Sequence, residues 1–338
     1  MAHIILKRSS FFHNLDTIAA LCGSTQKIAL VLKDNAYGHG IMQMAALASE
    51  YGITKAVVRS VAEAEIIERY FEYILILADT APTTNSKFHY TINSLEAIEH
   101  LHVNCNVELK VDTGMHRNGI AIAELDEAFA RIATHQLRLK GLFSHHRSAD
   151  CLSSEWFWQR HRFEALKAKA TTLQQRYGFE PLAFHLNNSA ALFREGACSD
   201  TMVRVGIAAY GVVELEPTLT LPQLQPVLSL YARKIASRTL QPHERVGYGG
   251  HYTTKRERSV ATYDIGYADG LMRAYAATLR TPKGHTVLGN ISMDNTTFDA
   301  TDDELLIFDD ARVAAAAGNT IAYEVLTALK PHLPRTII

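Results

Sequence analysis

The chain is poor in the features that mark specialised protein classes. Its 338 residues hold only four cysteines and two tryptophans. Cys22, Cys105, Cys151 and Cys198 stand far apart with no C-x-x-C pair, so their spacing points to neither a zinc site nor a disulfide framework, and no metal is expected. Such cysteine usage suits a reducing, cytoplasmic setting. Charge of one sign is also missing. A formal net charge of -1 gives no electrostatic case for nucleic acid or an anionic membrane as partner. Long apolar runs are absent too: the opening MAHIILKRSSFF lacks the core of a signal peptide, and no later run is long enough to span a bilayer. What is present is a hydrophobic content of 47%, enough to fill one large core or two ordinary ones.

Short apolar runs closed by polar or glycine-bearing segments read as buried strands. After an opening strand at 3–6 and a helix from about Asn14, eight such runs recur, at 28–33, 56–60, 73–79, 89–93, 107–112, 137–145, 183–187 and 201–210. Helical patterns fill most of the gaps, at 42–51, 62–71, 95–102, 120–134, 153–177 and 190–195, while Pro82 and its polar neighbours blur the third. Eight strand–helix alternations predict an α/β fold with an N-terminal (β/α)₈ TIM-type barrel. Beyond PTLTLPQLQP, strand-like runs at 227–237, 259–266, 285–291, 296–300 and 304–308 follow one another without helices. They predict a C-terminal, mainly β domain, closed by a helix at 321–330 that stops at Pro331. The division expected is 1–216 and 217–338.

In a barrel the carboxyl ends of the strands carry the chemistry, and a phosphate is often held after strands seven and eight. Polar residues gather at those ends here: Lys33 and Tyr37; Lys110, Asp112 and Arg117; His145 and His146; Asn187, Asn188 and Ser189; Arg204, Gly206 and Tyr210. A lysine closing an apolar strand, as in IALVLKDNAYGHG, is partly desolvated, which favours a nucleophile or Schiff-base former. The Ser189 hydroxyl and the bare backbone of Gly206 suit a phosphate. Each residue alone has an ordinary reading, with Lys33 a solvated strand end, Ser189 a helix cap, Gly206 a turn and Arg204 a surface ion pair. Together they point to pyridoxal phosphate.

The segment VLKDNAYGHG closely resembles the cofactor motif of the alanine racemases. The resemblance continues in order through LKVDTGMHRNG, FSHHRSAD, HLNNSAA, VRVGIAAYG, VGYGGHY, IGYADG and GNISMDN, covering most of the chain from Lys33 to Asn295. It implies a fold-type III pyridoxal-phosphate enzyme working as a head-to-tail homodimer, which interconverts L- and D-alanine and supplies D-alanine for peptidoglycan. Lys33 matches the Schiff-base lysine and the base on one face of the substrate. Tyr248 matches the base on the other face, contributed by the partner subunit. Tyr37, Ser189, Gly206 and Ile207 match phosphate ligands, His145 a histidine beside the cofactor ring, and Arg204 the arginine facing the pyridine nitrogen. Arg117 matches an arginine near the cofactor's phenolic oxygen, and Lys110 a lysine that many members carry as a carbamate. Met293 and Asp294 match partner residues that meet the substrate carboxylate, with Tyr267 and Arg273 in the segment supporting the entrance.

Three departures stand out. Many members have a tyrosine near the C-terminus that reaches the phosphate, and EVLTALKPHLPR puts Pro331 at that position. Asn290 stands where arginine is common, and His116 replaces a frequent glycine. Pro331 and the shortened second domain allow a broader racemase, for serine or larger side chains, as a second reading. A non-catalytic pyridoxal-phosphate carrier is a third, but it needs neither a second domain nor Tyr248.

Overall fold

A computed structural model describes residues 1–79, 85–219 and 222–338. Pro82, at the centre of the blurred third helix, lies outside the described residues. The eight expected strands form as Ile28–Val31, Lys55–Val58, Tyr73–Ile76, Phe88–Ile92, Asn106–Lys110, Arg138–Phe143, Ala183–His185 and Val203–Val205. They pair in parallel, running from the seventh back to the first and then to the eighth. Their branched residues are buried on both faces, as a sheet wrapped by helices requires. No ladder joins strands seven and eight among the described residues. Two backbone bonds span that seam instead, from Thr201 N to Phe184 O at 3.0 Å and from Arg204 N to Asn187 O at 3.1 Å. The result is a nearly closed (β/α)₈ barrel.

Helices Arg8–Cys22, Ile41–Tyr51, Val61–Ile67, Leu125–Thr134, Glu155–Tyr177 and Ser189–Glu195 cover the barrel. The first starts well ahead of Asn14, because Phe11, Asn14, Leu15 and Ile18 recur at helical spacing on one buried face. The Asn14 amide is satisfied there, donating to Ala209 O at 3.0 Å and Gln225 O at 2.8 Å. The helix expected at 95–102 shrinks to the 3₁₀ segment Glu96–His100, which buries only Ile98.

The second domain is built on the long strand Leu228–Leu240. It pairs antiparallel with Arg258–Tyr263, with Glu304–Phe308 and with the opening strand His3–Leu6. His3–Leu6 in turn pairs in parallel with the last strand, Arg335–Ile337. The run expected as a strand at 285–291 makes only the isolated bridges Arg280–Thr286 and Val287–Phe298, since turns hold it close to the loops it serves. One helix was not anticipated, Ala311–Gly318. It buries small residues, Ala311, Ala314 and Ala315, and is capped by the Asp310 carboxylate accepting from Arg312 N at 2.9 Å. A single apolar core extends from the barrel into this domain. Among the described residues no helix is long and apolar enough to cross a membrane.

Candidate active site

A cavity of about 580 Å³ opens at the carboxyl ends of the barrel strands. Of the residues singled out by sequence, Lys33, Tyr37, Lys110, Arg117, His145, Ser189, Arg204, Gly206 and Ile207 line it.

Lys33 follows the first strand and opens an unusual turn. The four residues after it, Asp34, Asn35, Ala36 and Tyr37, all have positive φ, between 51° and 56°. Left-handed backbone costs a non-glycine residue roughly 1–2 kcal/mol, so neighbours must hold this turn in place. Glu63 Oε1 accepts from Asp34 N at 2.7 Å, and Asn35 Oδ1 accepts from Ile41 N at 2.9 Å. From the far end of the chain, Arg335 donates to Gly38 O through Nη2 at 2.8 Å and Nε at 3.1 Å. The imidazole of His39 stacks on Tyr210 at 4.3 Å, and the Tyr210 hydroxyl donates to Val31 O at 2.9 Å. Strand, turn and C-terminal segment thus fix where Lys33 and Tyr37 point. The Lys33 amine has Asp34 Oδ2 at 3.8 Å as its nearest anion.

On the opposite wall the Ser189 Oγ accepts from Gly206 N at 3.1 Å and from Ala208 N at 3.4 Å. Gly206 is glycine for lack of space: a Cβ there would lie 2.5 Å from the Tyr37 hydroxyl oxygen. A serine hydroxyl, a phenol and the backbone N–H groups around Gly206 therefore converge, and that donor set fits a phosphate.

Cations gather on the third wall. Arg204 is buried, and its Nη2 donates to Ser144 O at 2.7 Å and Leu186 O at 3.1 Å. Burial lowers its pKa to about 10, which leaves it a cation at neutral pH. Half-buried His145 has Arg204 Nη2 at 3.4 Å from Nδ1. Burial, then Arg204 and Lys110, hold its pKa well below the ordinary histidine value, so the ring is neutral. Lys110 is buried too, with its amine on Asn118 Oδ1. Burial, reinforced by Arg117 and Arg204, pushes its pKa down to about 8. His116, where glycine is frequent, does adopt positive φ, at 54°, and its ring compensates by lying 3.1 Å from Asp112 Oδ2.

Tyr248, Tyr267, Met293 and Asp294 lie away from this cavity, on the surface of the second domain. Tyr248 is 73% and Met293 54% exposed. They nonetheless share one neighbourhood. Tyr267 N donates to Ser292 O at 3.1 Å, Ala268 N to Met293 O at 3.0 Å, and Asn290 Nδ2 to Tyr248 O at 3.0 Å. Asn290 thus supports the Tyr248 loop. Gly266 permits the tight approach, since a Cβ there would come within 2.1 Å of Met293 O.

Several lining residues escaped the sequence reading, among them Glu214, Thr327 and Tyr323. Tyr323, on the helix Ala322–Ala328, sets its ring 5.8 Å from that of Tyr37. Burial, with Asp150 and Glu214 near, raises its pKa to about 12, so it is a neutral donor. Tyr323 stands eight residues before Pro331 in the sequence. Its signal was the Y-E-V of the same closing helix. Among the described residues no group of three or more histidine, cysteine or acidic side chains could hold a metal ion.

Residues 6–214 match the family described as alanine racemase, N-terminal domain, and residues 227–337 that described as alanine racemase, C-terminal domain. An alanine racemase of a Nitratiruptor species is 45% identical over 338 residues, spanning all of both chains. One of Campylobacter concisus is 41% identical over 341 residues, again spanning both completely. The solved structure of an alanine racemase from Clostridium difficile 630 superposes with a TM-score of 0.88 at 26% identity, covering 100% of this chain and 95% of its own. With both domains matched in order over a barrel that gathers these side chains, the chain belongs to the alanine racemase family.

Proposed function

We propose that the chain is a pyridoxal-phosphate enzyme that interconverts L- and D-alanine by two bases on opposite faces of the substrate. The observation that carries this reading is the convergence of Lys33, the Tyr37–Ser189–Gly206 cradle and Arg204 on one cavity. Tyr37, Ser189, Tyr323 and the backbone at Gly206 and Ile207 would hold the phosphate, Lys33 would bind the aldehyde, and Arg204 would face the ring nitrogen. The bound group supplies an electron-withdrawing ring that acidifies the substrate's α-hydrogen. Arg204, as a cation, keeps that nitrogen unprotonated and moderates the withdrawal. Lys33 exchanges a proton with one face of the α-carbon and the phenol of Tyr248 with the other.

Tyr248 does not line the cavity of its own subunit and is exposed on the second domain. A head-to-tail homodimer brings the Tyr248, Tyr267, Met293 and Asp294 cluster of one copy to the cavity of the other. There Met293 and Asp294 would meet the substrate carboxylate. Residues 1–216 and 217–338 serve as barrel and donor units, with strand His3–Leu6 lent to the second. The four free cysteines suit the cytoplasm, and D-alanine for peptidoglycan is the product expected there.

The match of both domains to alanine racemases favours alanine over serine and larger substrates. The expected result with purified protein and added pyridoxal phosphate is racemisation of either alanine enantiomer, with kcat/KM for serine at least tenfold lower, as a pocket that excludes one extra group gives. Equal values would instead support the broader racemase, and no turnover of either would overturn the reading.

Lys110 is placed to become a carbamate. Only the neutral amine adds to carbon dioxide, forming an N–C bond and releasing a proton, and the neutral fraction grows as pH rises through about 8. The anion would relieve the crowding of cations and orient Arg117. In bicarbonate, intact-mass measurement of the native protein should find one carbon dioxide per chain above that pH and less below it, with none in Lys110→Arg. An unmodified mass throughout would leave Lys110 a free amine.

A further inference from the structure

Inside the barrel, side chains from three strands converge on one carboxylate that the proposed reaction does not use. Glu108, on the fifth strand, is fully buried. The Tyr73 hydroxyl, from the third strand, donates to its Oε1 at 2.5 Å, and His89 Nδ1, from the fourth, lies 3.4 Å from the same oxygen. His185 Nε2, from the seventh, is 2.6 Å from Oε2. The sixth strand makes room with Gly141, where a Cβ would sit 3.0 Å from the carboxyl carbon. Across the ring, His185 Nδ1 meets Arg204 Nη1.

The donor and acceptor inventory leaves one arrangement for that ring. A guanidinium only donates and a carboxylate only accepts. An imidazole between them must carry its proton on Nε2 and offer the Nδ1 lone pair to Arg204. Burial lowers the His185 pKa, in keeping with a neutral ring. Burial alone would raise that of Glu108, but His185 and His89 outweigh it and hold it below the usual carboxylate range. Tyr73, raised well above its ordinary value by burial and by Glu108, stays a donor.

We propose that Glu108 is a positioning residue, which fixes the His185 tautomer and so aims the buried guanidinium of Arg204 into the cavity. The opposite tautomer would set an N–H against an N–H and push Arg204 off its place, losing the bonds to Ser144 O and Leu186 O. The effect on catalysis rests on the reading that Arg204 faces the cofactor nitrogen; the tautomer itself does not.

The two parts separate in one experiment on the holoenzyme, prepared with ¹⁵N-labelled histidine, with His185→Asn identifying the signal. The wild-type protein and Glu108→Asp are expected to show His185 protonated at Nε2 only. Glu108→Gln, which keeps the shape and removes the charge, should show protonation at Nδ1 as well. It should also lose roughly 10- to 100-fold in kcat, as removal of an orienting partner does, with KM changing less and with more cofactor lost to side reaction per turnover. A wild-type His185 that is cationic, or protonated at Nδ1, overturns the proposal even if no variant folds. So does a Glu108→Gln protein with wild-type ring shifts and kinetics. A tautomer that changes while kcat and side reaction do not would refute the placement of Arg204 on the cofactor and leave the lock intact.

Discussion

Lys33→Ala should remove the visible absorbance of bound cofactor and lower racemisation in both directions by roughly 10³- to 10⁴-fold, the range lost with a positioned base. No neighbour can substitute. The other cavity lysine, Lys110, is buried, sits on the fifth strand and is engaged by Asn118. The turn that follows Lys33 is pinned at several points, by Glu63, by the Asn35 side chain, and by Arg335 bonding to Gly38 O. The substitution leaves those contacts intact, so the folded structure and its melting temperature should be retained while the absorbance disappears. A Lys33→Ala protein with normal spectrum and turnover would remove the centre of the proposed mechanism.

Tyr248→Phe deletes one oxygen from an exposed side chain and should cost about 10²- to 10³-fold in turnover, in the range of a lost general acid–base group. Little stability should change, since the phenol makes no hydrogen bond to another described residue. The more telling result comes from mixing. Lys33→Ala and Tyr248→Phe homodimers are each inactive at both sites. After exchange of subunits, a mixed dimer has one site lacking both groups and one site with both, so activity returns. If Tyr248 served its own chain, no mixture could recover, and the absence of recovery with exchange demonstrated by mass would reject the shared site.

The barrel was legible because its strands are short apolar runs, each closed by the polar residues that line the cavity. IALVLKDN announces both a strand and its functional end. The second domain was harder. At 285–291 the alternation suits a strand, but the chain there is drawn into the loops around Asn290 and Met293, and pairing is reduced to single bridges. The helix at 311–318 was harder because it is only eight residues long and the residues it buries are alanines. Lys33, Tyr37, Ser189 and Arg204 could be found because strand ends meet at one mouth. Glu108 could not be found that way: NVELK reads as a strand with one stray acid. Only the folded barrel shows that Tyr73, His89 and His185 reach the same point. Tyr323 was overlooked for a different reason, since helical geometry brings a residue back to the cavity from a position that sequence spacing had passed over.

The interleaving of the chain ends gives the two domains a common fate. Strand His3–Leu6 lies between the long strand of the second domain and the final strand, with Ile4 N bonded to Pro334 O at 2.8 Å and Ile338 N to Leu6 O at 2.9 Å. Strand 3–6 is therefore made long before its partners, and the second domain's sheet, not the barrel sheet, stays incomplete until residues 228–240 and 335–337 have been made. Once knit, the two termini act as a clasp: a fragment ended at residue 216, or a protein clipped of its last few residues, would lose the partners of strand 3–6 and the Arg335 pin on the turn after Lys33 together. The lysine's setting is therefore complete only when strand 335–337 has joined strand 3–6 and Arg335 has reached Gly38 O.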